Sequence, residues 1–328
     1  MSLRRILLAL AASLLVAVAF TVQADAKKPE PPPPEPPAPL SNPALAYFGK
    51  NPDKINEPYL LYLMTADGSE TQQLTSETLG DSEPVWNADG TEIAFLRDTT
   101  SGERCSLYSI EPDGTDLTLR YDFCANGPYR PVGSFDWSPD GAFIVYWSDY
   151  GGAHLFKLEL ATGDTEDLLD SADPGWPTAH DPSWSPDGTD RIAYWGAPDA
   201  LTPEGIWVLD LSTGASTDLT PGDDEARYPA WSSDGQQIAY FGPDNTLMTM
   251  QDDGSDKQVV GAMRDSRQAT WSSDDRYLAL DNRVTIRNKT SWDLLRVRTD
   301  GTELTNITES VRFWEFSPDW NPAWENDL

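Results

Sequence analysis

Residues able to do chemistry are sparse in this chain. It holds two histidines, and one of them, His180, is followed directly by Asp181. An imidazole beside a carboxylate is half of an acid–base pair. No nucleophile accompanies it, since no G-x-S-x-G elbow occurs anywhere in the sequence. His180, Arg227 and Arg267 share a position instead, each standing four residues ahead of a tryptophan. Glu83, Asp181, Tyr228 and Gln268 stand three ahead. Three cationic or protonatable groups at one offset, in a chain of net charge −31, would form a local positive spot able to receive a carboxylate through charge-assisted bonds. The competing reading is that the arginines pair with Glu83, Asp181 or other carboxylates and hold neighbouring elements together.

Those offsets belong to a repeated phrase. It reads EPVWNADG at Glu83, SFDWSPDG at Ser134, DPSWSPDG at Asp181, YPAWSSDG at Tyr228, QATWSSDD at Gln268 and, degraded, SPDWNPAW at Ser317. Its tryptophans are Trp86, Trp137, Trp184, Trp231, Trp271 and Trp320, spaced by 51, 47, 47, 40 and 49 residues. A recurrence of that length marks a repeat architecture. A Gly-containing turn recurs in nearly fixed phase with it, at Gly68, Gly114, Gly163, Gly214, Gly254 and Gly301. Between the landmarks lie short β-branched and aromatic runs such as Ile93–Leu96, Ile144–Trp147 and Ile238–Phe241. Four strands per repeat, six times over, predict an all-β, six-bladed propeller with four antiparallel strands per blade. Scaffold positions must repeat, so the tryptophans and turns are read as structural. The positions three and four ahead of them vary among the copies and are free to build a site at the channel mouth. Leu45–Gly49 matches a second strand lacking its first, and the last repeat stops after its first strand. One blade is therefore expected to be shared, its innermost strand from Phe316–Asn321 and its outer three from about residues 44–79, closing the ring and hiding two edges.

The remaining features bound the setting. Arg4 and Arg5, an apolar run from Ile6 to Val22 and the Ala24-Asp25-Ala26 site read as a signal peptide over residues 1–26. Residues 27–43 are proline-rich and predict an extended linker, with the propeller over 44–328. Export implies a periplasmic or secreted, bacterial-type protein, with no membrane span once the leader is cleaved. The acidity disfavours nucleic acid as a partner. Cys105 and Cys124 are an even pair in an exported chain and predict one disulfide. Acidic turns such as Asp252–Asp256 and Gly222–Glu225 match no EF-hand loop, so no metal and no cofactor is expected.

The W-S-P-D-G phrase, the I-A-Y/F strand, the D-G-S/T turn and the polar strand after it (Gln72–Thr75, Thr217–Thr220) resemble the TolB-type, WD40-like propeller repeat across residues 44–328. A proline-rich spacer stands where that family's namesake has an α/β domain, so the resemblance is to the propeller alone. It implies the fold and leaves several functions open. The leading expectation is a monomeric, non-catalytic scaffold that docks another envelope or secreted protein, or an anionic ligand, at the channel mouth. The alternatives are a carbohydrate-binding or lyase-like protein acting on an anionic glycan, and an accessory of the Tol–Pal envelope system.

Overall fold

The computed structural model describes residues 40–324 apart from 55, 77–78, 101, 127–131, 150–152, 170–177, 198–201, 224, 287–288 and 310–312. The expected leader (1–26) and nearly all of the linker (27–43) lie outside the described residues.

The structure is built from short strands. β1 (Leu45–Lys50), β2 (Leu60–Met64) and β3 (Thr71–Gln73) come first. Four antiparallel sheets of four strands follow. The first comprises β4 (Asp81–Trp86), β5 (Ile93–Asp98), β6 (Arg104–Ile110) and β7 (Thr118–Asp122). The second has β8 (Val132–Trp137), β9 (Phe143–Asp149), β10 (Ala153–Glu159) and β11 (Thr165–Asp167). The third has β12 (Thr178–Trp184), β13 (Arg191–Ala197), β14 (Gly205–Asp210) and β15 (Ala215–Asp218). The fourth has β16 (Arg227–Trp231), β17 (Gln237–Gly242), β18 (Thr246–Gln251) and β19 (Gln258–Ala262). β20 (Ala269–Trp271), β21 (Tyr277–Ile286), β22 (Lys289–Arg298), β23 (Thr305–Asn306) and β24 (Trp314–Trp320) complete the chain. Among the described residues the only α-helix is one turn, Phe123–Asn126, and no helix is long and apolar enough to cross a membrane.

The fifth sheet departs from the four-strand expectation. It has eight strands, because β20–β23 and the set β24-β1-β2-β3 are joined. The junction is a single parallel pair, Trp292 opposite Trp314. β24 runs antiparallel to β1, with Leu45 opposite Trp320, so strands from the two ends of the described chain share one ladder.

The repeated turns form as their sequence dictates. Asp140 Oδ1 accepts from Ser138 Oγ at 2.6 Å and from the Ala142 N–H at 3.0 Å, while Gly141 takes φ +70°. Asp187, Asp234 and Asp274 repeat this arrangement. Side-chain bonds of this kind close the turn without a tertiary partner. Asp275, standing where the other copies have glycine, also adopts φ +56°. Its carboxylate accepts from the Ser233 N–H at 2.7 Å on the neighbouring sheet, a contact glycine cannot make.

The core lies between consecutive sheets. Each phrase tryptophan packs with the strand after it and with the sheet before it: Trp137 and Ile144 against Leu96 and Leu107, Trp184 and Ile192 against Val145 and Leu155, Trp320 with Leu45 against Ala279 and Leu294. The indole is large enough to span that gap, which accounts for its recurrence.

Candidate functional site

β4, β8, β12, β16, β20 and β24 each end on a phrase tryptophan, and all six line one cavity of about 190 Å³. Its walls include Ser134, Asp181, Tyr228, Arg267, Gln268 and Asp319. Of the positions expected to face a channel mouth, Asp181, Tyr228, Arg267 and Gln268 line this cavity. Glu83 joins them electrostatically, since Asp181, Arg267 and Asp281 each share a charge interaction with it.

The strands present these side chains by bulging. The antiparallel register slips between Ser82 and Val85, His180 and Ser183, and Arg227 and Ala230. In β24 it slips between Phe316 and Asp319. At these four slips the residue three before the tryptophan has left-handed backbone: Glu83 φ +51°, Asp181 +47°, Tyr228 +55° and Ser317 +43°. The residue after it is proline in all four, Pro84, Pro182, Pro229 and Pro318. Proline has no N–H to give the ladder and bars the preceding residue from the right-handed region, so the strand opens there. A bulge re-aims the side chain beside it. Ser134 and Gln268, followed by Phe135 and Ala269, have no positive φ, yet β8 slips in the same way between Val132 and Phe135, so proline accompanies the left-handed residue and is not required for the slip. The signal was in the sequence as the X-Pro pair two residues ahead of the tryptophan.

One side of the cavity is acidic. Ser134 Oγ donates to Asp181 Oδ1 at 2.8 Å and accepts from the Trp147 indole at 3.1 Å. Burial pushes the Asp181 carboxyl up to about 7, against the Ser134 bond and with added repulsion from Glu83. Glu83 is raised by burial, opposed by Arg104, Ser317 and Arg267; its bond to Arg104 is 3.3 Å. Asp281, below, is pushed to about 7 by burial although it accepts from the Arg267 N–H at 2.9 Å.

The expected cationic spot is rearranged. His180 does not line the cavity; its ring is held between Trp147 (4.6 Å between centroids) and Trp195 (4.8 Å). Burial lowers its pKa, opposed by Glu204 and Asp149, so it is neutral at pH 7. No hydrogen bond joins His180 to Asp181 among the described residues; the imidazole is packed and the carboxylate is committed to Ser134. Arg227 and Arg267 do come together. They line one cleft of about 410 Å³ beside the mouth, with Tyr228, Arg283 and Trp292. Arg267 lies over Trp292 (5.1 Å) and Arg227 over Tyr228 (5.9 Å).

A second layer escaped the sequence reading. The residue directly before each tryptophan is hydrogen-bonded to the tryptophan of the next copy of the phrase. Asp136 accepts from the Trp184 N–H (2.7 Å), Ser183 from Trp231 (3.2 Å), Thr270 from Trp320 (3.2 Å) and Asp319 from Trp86 (2.7 Å). In these four cases the indole N–H of the receiving tryptophan is buried with no protein partner. Where the residue is Val85 or Ala230 and has no acceptor, the pattern inverts. The indoles of Trp137 (3.3 Å) and Trp271 (3.0 Å) then donate to those residues' carbonyls. Burial pushes Asp136 and Asp319 up to about 7, against the N–H groups they hold.

Cys105 and Cys124 form a disulfide, with Cα atoms 5.2 Å apart. Among the described residues the only cluster with metal-ligand spacing is Glu103 with these two cysteines, whose sulfurs are bonded to each other. The cavity therefore offers hydrogen bonds, the carboxyls of Asp136, Asp181 and Asp319 and the Arg267 guanidinium, and the neighbouring cleft adds Arg227.

No family model matches the chain. An uncharacterized protein of Agrobacterium fabrum is 25% identical over 199 residues, covering 57% of this chain and 61% of that one, so the chain spans less than two thirds of this relative's length. Among solved structures, TolB from Acinetobacter baumannii superposes with a TM-score of 0.68 at 18% identity, over 85% of this chain and 66% of that one. A candidate TolB from Agrobacterium tumefaciens gives 0.58 at 15% identity, over 84% and 98%. Oligogalacturonate lyase from Vibrio parahaemolyticus gives 0.53 at 14%, over 76% and 71%. At these identities the likeness is one of fold: the chain has a TolB-like β-propeller fold.

Proposed function

We propose that this protein is an exported, non-catalytic six-bladed β-propeller over residues 44–328 that docks a partner protein at its channel mouth. On this reading β24 is the innermost strand of a blade completed by β1–β3, and residues 1–26 and 27–43 are leader and spacer. The observation that carries it is the convergence of the variable positions Asp181, Tyr228, Arg267 and Gln268 on one cavity while the tryptophans behind them repeat. A bulge holding Asp181 or Tyr228 in left-handed backbone is strained, on the order of 1–3 kcal/mol each. Such strain gathers at binding sites, where it pre-shapes the surface. The test places a photo-crosslinking residue at Tyr228 and, as a control, at exposed Val259 on the outer strand β19. In envelope preparations Tyr228 gives a discrete protein adduct and Val259 gives none. Equal labelling at both positions rejects the mouth as a docking face. The identity of the adduct separates a Tol–Pal component from another envelope or secreted partner.

A second reading, an anionic glycan as ligand, is favoured by the cleft of Arg227 and Arg267. Binding of polygalacturonate without any protein adduct would support it. Release of an unsaturated sugar would make the protein a lyase and overturn the non-catalytic reading.

A further inference from the structure

In a chain with 54 acidic and 23 basic residues, most arginines find a carboxylate. Among the described residues, Arg97, Arg104, Arg120, Arg191, Arg276, Arg283 and Arg298 all make ion pairs. Four arginines make none. Arg296 donates instead to the Ala66 carbonyl at 2.9 Å. The other three, Arg227, Arg264 and Arg267, line adjoining clefts beside the mouth, and Arg227 and Arg267 share one. The Arg227 Nε is buried without a partner. Arg264 and Arg267 are exposed and hydrated, so the atom whose unmet hydrogen bond is costly is the buried Arg227 Nε, which an incoming anion would satisfy.

The shared cleft is locally basic. Its only lining acid, Asp265, is taken by Arg283 at 2.6 Å, so Arg227 and Arg267 make no ion pair in the cleft, although Glu83 and Asp281 act on Arg267 from outside it. One wall is held by Asn245, whose amide, in the orientation its neighbours' donors call for, accepts from the Asp265 and Ser266 N–H groups at 2.8 and 2.9 Å. The aromatic rings do not offer a platform. Arg267 covers Trp292, which also packs on Phe316 at 5.2 Å, and Tyr228 lies against Trp195 and Phe241. A sugar ring would need a free aromatic face; here the rings back the guanidinium groups and aim their donors outward.

We propose that the Arg227–Arg267 cleft recognises acidic side chains of a peptide segment, gripping their carboxylates by charge-assisted bonds. This rests on the docking reading above and names the partner's chemistry. The test is fluorescence anisotropy of the whole folded protein with a labelled hexaglutamate peptide, alongside hexalysine and unlabelled polygalacturonate as competitor. Hexaglutamate binds saturably and hexalysine does not. Arg267→Gln, at an exposed side chain, weakens binding by about tenfold or more, as does Arg227→Gln. Arg298→Gln, outside the cleft, leaves it unchanged. Melting curves confirm that each variant is folded; if Arg227→Gln is not, Arg267→Gln decides alone. The proposal is overturned if folded wild type does not bind hexaglutamate, if folded Arg267→Gln binds it as well as wild type, or if polygalacturonate binds and the peptide does not. A Tyr228 adduct combined with unaltered binding in Arg267→Gln would sink the acidic-peptide reading while leaving the docking face standing.

Discussion

Gly133 occupies a position where its relatives in the repeat carry Ser, His, Arg or Phe. A Cβ there would lie 1.9 Å from the Trp147 ring, so only glycine lets that indole cross β8 and donate to Ser134. Gly133→Ala is expected to push the indole out, release Ser134 from Asp181 and cost roughly 1–3 kcal/mol, read by urea denaturation. An unchanged midpoint would mean the ring relocates freely. Asp319 is the other residue on which much converges, accepting from Trp86 on one side and Thr270 at 3.2 Å on the other. Asp319→Ala strands a buried backbone N–H and is expected to cost about 1–3 kcal/mol by the same measurement. Both residues were invisible as determinants in the sequence. A glycine there looks like a missing side chain, and the role of the residue before the tryptophan appears only when the next sheet is in place.

At the scale of elements, β24 is the piece on which the two ends of the described chain depend. Trp320 and Trp324 are 3% and 5% exposed and pack with Leu45 and Tyr47. Removing residues 317–328 bares the edge of β1 and the core behind it, so the truncated protein is expected to aggregate or lose its cooperative melting transition. An unaltered melting curve would refute this account of the terminal strands. The Cys105–Cys124 disulfide ties the start of β6 to the turn after β7, across 19 residues. The double Cys→Ser variant is expected to lose about 3 kcal/mol, measured under non-reducing conditions. Strands, turns and the pairing of Phe316–Asn321 with Leu45–Gly49 were legible because period-2 runs and Asp-Gly turns encode them locally. The bulges were legible in principle through Pro84, Pro182, Pro229 and Pro318. The joining of β22 to β24 was not, because a single parallel bridge leaves no periodic trace.

Over the whole molecule, two populations of carboxyl groups set opposite pH trends. Asp136, Asp181, Asp281 and Asp319 are pushed up to about 7 by burial, from about 3.9 in an unfolded chain. Between those values the folded protein keeps protons that the unfolded chain has released. Stability from these groups therefore falls as pH rises from about 4 to about 7. The turn aspartates act the other way. Asp67 and Asp187 are held down to about 2, Asp67 chiefly by bonds from Ser69; for Asp187 burial is outweighed by Thr189, Ser185 and Arg191. Their contribution is present above about 4 and lost as pH falls toward 2. The melting temperature is therefore expected to peak near pH 4 and to be lower at pH 8, by calorimetry. In the double variant Asp136→Asn, Asp319→Asn the decline from pH 5 to pH 8 is expected to shrink. A wild-type melting temperature that is flat or rising over that interval would contradict the assignment.

The sequence by itself determined the strands, the turns, the sixfold recurrence and the separation of scaffold from variable positions. These follow from local pattern: side-chain alternation, Asp-Gly turn chemistry and a recurring indole. The tertiary structure alone decided which variable residues meet. His180 was drawn away from the arginines because two indoles from neighbouring sheets enclose it. Glu83 went to Arg104, Asp265 went to Arg283, and Arg227 and Arg267 share one cleft without an ion pair. Partnership among charged side chains is settled by distances of a few ångströms across sheets about 40–50 residues apart in the chain, and spacing along the chain does not contain those distances.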